Sequence, residues 1–140
     1  MGAETARGAK LNALQIVELL IGLSKLAAKG SDWRGPIQAL HTALHELKKR
    51  HPELFARVWF AEHTIAPYSR GIDAAIASLG AAGLVRIENP DFKYLLIKGG
   101  DREGFVQHLQ HLPGATLARM REVAEEFDEE VGALLPEGEA

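Results

Sequence analysis

The sequence predicts a mostly α-helical fold carrying one small β-hairpin, and three observations predict it. Apolar residues recur at helical spacing in successive segments along the 140 residues. Two short runs, LVRIE at 84–88 and FKYLLIK at 92–98, are rich in β-branched and aromatic residues and flank the turn Asn89-Pro90-Asp91. Ser69 and Gly83 bracket the helical stretch just before the first run, where a cap and a left-handed stop belong.

Taken in order, residues 1–10 are small and polar without periodicity and are expected to be disordered. An N-terminal helix is expected over 11–29, within an N-terminal segment 11–33. Leu11, Leu14, Ile16, Val17, Leu19, Leu20, Leu23 and Leu26 make a stripe wide enough to pack on two sides or at a subunit contact. Lys29-Gly30 supplies a basic last turn and a glycine stop, and a connector, 31–35, holds Trp33. Pro36 suits a first helical position, since it has no N–H to leave unpaired. The helix it opens buries Ile37, Leu40, Ala43, Leu44 and Leu47 and stops near His51-Pro52. Lys48, Lys49 and Arg50 sit at its end, where cations suit the helix dipole. Residues 52–62 read as a short amphipathic helix, with a strand from Arg57 onward as the alternative. The turn before Pro67 resists helix, and Ser69 then caps a helix over 70–82 that buries Ile72, Ala75, Ile76 and Leu79. After the hairpin and Gly99-Gly100 come two more helices, over 101–112 and from Pro113 or Gly114 to Leu134. The last sets Leu117, Met120, Val123, Ala124, Phe127 and Val131 against an acidic face.

Leu79-Gly80-Ala81-Ala82-Gly83-Leu84-Val85 is the segment in which an anchored helix turns sharply at a glycine into a strand. Together with the Ser69 cap it resembles the recognition-helix segment of winged helix-turn-helix proteins. The resemblance covers about half the chain and implies a winged-helix core at 34–98, with flanking helices before it and at 99–140, in one domain. A fainter similarity joins Ala66-Pro67-Tyr68-Ser69 to the Gly-Pro-Tyr-Ser turn of some Panacea-type antitoxin domains, with alanine standing where those have glycine.

Composition limits the function. The chain is 46% hydrophobic and 25% charged, as ordinary globular proteins are, and has no cysteine, which removes disulfides and thiolate metal sites. Its longest apolar stretch is broken by Glu18 and Gly22, so no membrane span is expected, and the N-terminus lacks a secretory signal; the cytoplasm is the expected compartment. Net charge is -3, but unevenly placed: residues 34–98 carry nine basic against six acidic groups, and residues 99–140 three against ten.

The winged-helix resemblance implies double-stranded DNA as partner, read by the outer face of the helix at 70–82 and by the wing. The residues in position are Arg70 and Ser78 on the helix and Arg86 and Lys93 on the wing. Lys48, Lys49 and Arg50 are a further source of positive charge. The same helix face also carries the anion Asp73 and the small residues Gly71, Ala74, Ala77 and Ala81, which suit a protein partner, so DNA binding and a protein-interaction module (antitoxin-like or complex-assembly) both stay open. A homodimer through the N- and C-terminal helices is expected. No enzyme motif or cofactor site is found. His41 and His45 at i, i+4 and His108 and His111 at i, i+3 have spacings able to hold a metal, yet lack a third ligand or the glutamate of a zinc hydrolase, and read as polar-face residues. Trp33, Trp59 and Tyr68 read as core or interface aromatics.

Overall fold

A computed structural model describes residues 11–24, 33–62, 64–88, 93–97 and 112–134. The segments expected as a disordered tail (1–10), as the Lys29-Gly30 stop, as the Asn89-Pro90-Asp91 turn and as a helix over 101–112 lie outside them, with 112 alone described, as a bend. So do His108 and His111.

The described elements run α1 (Ala13–Leu23), β1 (Trp33–Pro36), α2 (Ile37–Arg50), α3 (Arg70–Ala81), β2 (Val85–Glu88), β3 (Tyr94–Ile97) and α4 (Gly114–Leu134). The three strands form an antiparallel sheet in the order β1-β3-β2. Mostly helical, with a small sheet whose first strand precedes α2 and whose last two follow α3, the chain has the element order of a winged helix between flanking helices.

Helix α1 begins at a capping box that periodicity alone does not show. The Asn12 side chain accepts from the Gln15 N–H at 2.8 Å while the Gln15 side chain accepts from the Asn12 N–H at 3.0 Å. The helix stops earlier than the apolar pattern predicts. Ser24 is extended (ψ 176°), and its hydroxyl and N–H both bond the Ile21 carbonyl, closing the helix end before Lys25. Residues Ile16 to Gly22 are all buried, because α1 lies against α3 on one side and α4 on another. Gly71 permits the first contact: a Cβ there would meet the Ala13 Cβ at 3.2 Å.

The connector expected around Trp33 is instead a strand. Trp33, Arg34, Gly35 and Pro36 pair with Ile97, Leu96, Leu95 and Tyr94. Pro36 ends the strand and stands at the N-cap of α2, one position earlier than the first-turn placement expected for it. The Ile37 N–H, an orphan at the start of α2, bonds the Lys93 carbonyl at 2.8 Å, so the sheet caps the helix.

Residues 52–57 form turns rather than the expected short helix or a strand. The N–H groups of Leu54 and Phe55 both reach the His51 carbonyl, and the Val58 N–H reaches Phe55, but no ladder is propagated. Leu54, Phe55 and Val58 still reach the core, whereas Trp59 stays 57% exposed.

Ser69 caps α3 through its hydroxyl, which accepts from the Ile72 N–H at 3.3 Å. At the other end, the Leu84 N–H bonds the Leu79 carbonyl and the Gly83 N–H bonds that of Gly80, both at 3.0 Å. With Gly83 at φ +81° this is a Schellman stop, and it aims the chain into β2. Ile72, Ala75, Ile76 and Leu79 are buried, as the spacing predicts, and so are Met120, Val123, Ala124, Phe127 and Val131 of α4.

One contiguous core joins all of these. The apolar faces of α1 and α4, expected to meet in a homodimer, are therefore used within the chain: both helices pack on each other, and α4 also packs on α2. No described helix is long and apolar enough to cross a membrane.

Candidate interaction surface

The polar side of α2 builds the platform for α3. Gln38, His41, His45 and Lys48 recur at i, i+3, i+7 and i+10, which places them on one stripe of the helix. Each holds a different point of the loop between α2 and α3. Gln38 donates to the Pro67 carbonyl at 2.6 Å. The His45 ring meets Phe60 edge-on, centroids 4.9 Å apart. The Lys48 ammonium donates to the Val58 carbonyl and lies 5.8 Å from the centroid of the Trp59 ring.

His41 occupies the centre. It is 2% exposed, and its Nδ1 accepts the Ser69 N–H at 3.0 Å while Nε2 lies 3.1 Å from Asp73 Oδ1. A backbone N–H can only donate, so Nδ1 carries no proton and the neutral ring holds its hydrogen on Nε2, donated to Asp73. Tyr68 stacks on the imidazole (centroids 5.1 Å apart, planes at 19°), and its hydroxyl donates to Asp73 Oδ2 at 2.9 Å. Burial lowers the His41 pKa and outweighs the opposing pull of Asp73. The hydrogen bond to Asp73, helped by burial, raises that of Tyr68. His41, expected on the polar face, is thus buried against the start of α3, while His45 turns to Phe60. The spacing of the stripe is legible in the sequence. Its purpose is not, because Ser69 and Asp73 are 28 and 32 residues away from His41.

The basic end of α2 is likewise occupied. Arg50 Nη1 bonds Glu126 Oε1 at 3.1 Å and its Nη2 bonds Glu130, both on α4. His51 Nε2 reaches Glu126 Oε2 at 3.0 Å, and Lys49 pairs with Glu46 at 3.1 Å. Those bonds raise the Arg50 pKa; burial works against the Glu126 carboxylate, yet Arg50 and His51 together hold its pKa below the ordinary value. Lys48, Lys49 and Arg50, expected as extra charge for a polyanion, are instead engaged with the loop, with their own helix and with α4.

What α3 offers to solvent is small and nearly neutral. Arg70, Gly71, Asp73, Ala74, Ala77, Ser78 and Ala81 are exposed, and Asp73 already holds Tyr68 and His41. Between α3 and β2 runs an open groove of about 520 Å³ lined by Ala77, Gly80, Gly83, Val85, Arg86 and Ile87. The sheet register sorts the wing. Val85, Leu95 and Ile97 face the core, and Ile87, on the same side, is 36% exposed at the groove. Arg34 and Arg86 stand on the outward side, both opposite Leu96, and Arg34 Nε bonds Glu88 Oε1 at 3.0 Å across the middle strand. Lys93 is exposed just before β3.

Comparison with protein families, with curated proteins and with solved structures finds no match to this chain.

All four residues expected to meet DNA (Arg70, Ser78, Arg86 and Lys93) are exposed, with Arg70 at the first position of α3 and Ser78 two turns further along. The aromatics Trp33, Trp59 and Tyr68 have separate settings: Trp33 packs on the core from β1, Trp59 lies beneath Lys48, and Tyr68 covers His41.

Proposed function

We propose that this chain is a winged-helix protein-interaction module, and that its working face is the exposed side of α3 with the adjoining groove and β2. The observation that carries the reading is the character of that face. Reading base edges calls for arginine, lysine, asparagine or glutamine on the recognition helix. Here Arg70, at its first position, is the one such exposed residue, and Ala74, Ala77, Ser78 and Ala81 follow it, beside a groove ending in exposed Ile87. Small residues let another backbone approach closely, and apolar area removed from water supplies affinity. The pairing of Arg50 with α4 supports the same reading, since it takes charge from any phosphate contact. An antitoxin-like or complex-assembly role in the cytoplasm, without catalysis, fits it.

DNA is the second reading, favoured by the exposure of Arg70, Ser78, Arg86 and Lys93. Two measurements separate them. Under the protein reading, a labelled random duplex gives no salt-dependent anisotropy change at low salt, and a photo-crosslinker placed at Ala77 gives adducts to protein. Duplex binding that weakens with salt and is lost in Arg70→Glu, with crosslinks to nucleic acid, overturns it.

A further inference from the structure

We propose that the outer edge of β2 pairs antiparallel with β2 of a second copy of this chain, about a two-fold axis passing at Ile87. The proposal rests on the protein-binding reading above and names one partner for that face.

The two edges of the sheet differ. β1 ends in Pro36, which has no N–H to donate and blunts that edge. β2 is Val-Arg-Ile-Glu, free of proline, and among the described residues its strand partner is β3 alone. Beside it lies the groove, with Ala77 and Gly80 as its helix wall, which leaves room for another strand. Ile87 is a large apolar side chain left 36% exposed at that edge.

Charge selects both the occupant and the register. In an antiparallel pair, residues directly opposite share a face, so a two-fold axis must pass at a residue to keep Ile87 on the groove side. An axis at Arg86 sets two arginines opposite each other, and one at Glu88 sets two glutamates, both unfavourable. An axis at Ile87 sets isoleucine on isoleucine and places Arg86 opposite Glu88 of the second copy, twice over by symmetry. Cross-strand partners stand roughly 5 Å apart, close enough for these pairs. Glu88 already holds Arg34 through one oxygen, and a carboxylate has capacity for a second cation. The edge is thus complementary to itself. Four residues a side bury far less than the roughly 1,000 Å² of a stable interface, so the dimer is weak and concentration-dependent.

Sedimentation of the full chain over a wide concentration range tests this, with circular dichroism confirming each variant's fold. The wild-type chain shows a reversible monomer–dimer equilibrium. Arg86→Glu leaves carboxylates at both positions and Glu88→Arg leaves guanidiniums at both, so each variant alone dimerises about tenfold more weakly or worse. Mixed in equal amounts, the two variants restore both opposite-charge pairs and form a heterodimer. Arg86→Gln, which removes the charge without reversing it and keeps the fold if the reversal does not, gives an intermediate constant.

A wild-type chain that stays monomeric, a dimer indifferent to both reversals, or a mixture that fails to recover overturns the pairing. If the chain is monomeric while the crosslinker at Ala77 still gives protein adducts, self-pairing fails and the protein-binding reading stands. Salt-dependent duplex binding lost in Arg70→Glu removes that reading whatever the oligomeric state.

Discussion

Replacing His41 by phenylalanine keeps an aromatic ring under Tyr68 but removes both nitrogens. The Ser69 N–H then has no acceptor in a place where Ser69 itself is fully buried, and an unpaired buried donor costs about 1–3 kcal/mol. Asp73 is half exposed and recovers a hydrogen bond from water, and Tyr68 keeps its own bond to Asp73, so they add little. Urea unfolding at pH 8 of wild type and His41→Phe, followed by circular dichroism, gives the difference directly, expected within that range. The pH dependence is a second and independent readout. Burial sets the folded pKa of His41 below 6.5, so the unfolded chain takes up this proton first as pH falls. The contribution is complete above pH 6.5 and is lost as pH drops from there through the lower folded value. Part of the wild-type decline as pH falls below 7 is therefore absent in His41→Phe, and the two stability curves converge on acidification. A loss below about 0.5 kcal/mol at pH 8, or curves that stay parallel, refutes the assignment of His41 as the neutral acceptor for the α3 terminus.

Three further substitutions test the frame. Gly83→Ala meets open space but must hold φ +81°, so it lowers stability by about 1–2 kcal/mol in chemical unfolding with no change in secondary structure. Phe127→Ala empties a fully buried position where α4 meets the core and costs about 3–5 kcal/mol, whereas Trp59→Ala, at a position 57% exposed, costs less than about 1 kcal/mol; thermal melts of the pair measure the contrast.

What was legible in the sequence were features whose causes are local. The Ser69 cap, the Gly83 stop, the buried faces of α3 and α4 and the two hairpin strands follow from residues within a turn or two of one another. The Asn12-x-x-Gln15 box is equally local, and a broad apolar run beside it hides it. β1 is a different case. Trp-Arg-Gly-Pro has no strand pattern of its own and is extended because β3, some sixty residues later, supplies its partners. Residues 52–58 have the apolar content of a helix, but their first N–H groups share one carbonyl and the ladder stops. The electrostatics at the end of α2 were hidden for the same reason. Lys48, Lys49 and Arg50 look like free charge until Glu126 and Glu130, 76 and 80 residues on, stand against Arg50.

The contact of α1 with α4 joins elements far apart in the sequence, which bears on how the fold completes itself. The first and last described helices share one core, so closing that contact draws in a loop of roughly a hundred residues, at an entropy that grows only logarithmically with its length. Until α4 docks, the middle of the chain can form its sheet and its helix pair but leaves α1 with an apolar side facing water. A small helical protein ordinarily assembles from neighbours outward and quickly. This one needs its first and last described helices to meet before its core is sealed, so docking of α4 is the step expected late in folding.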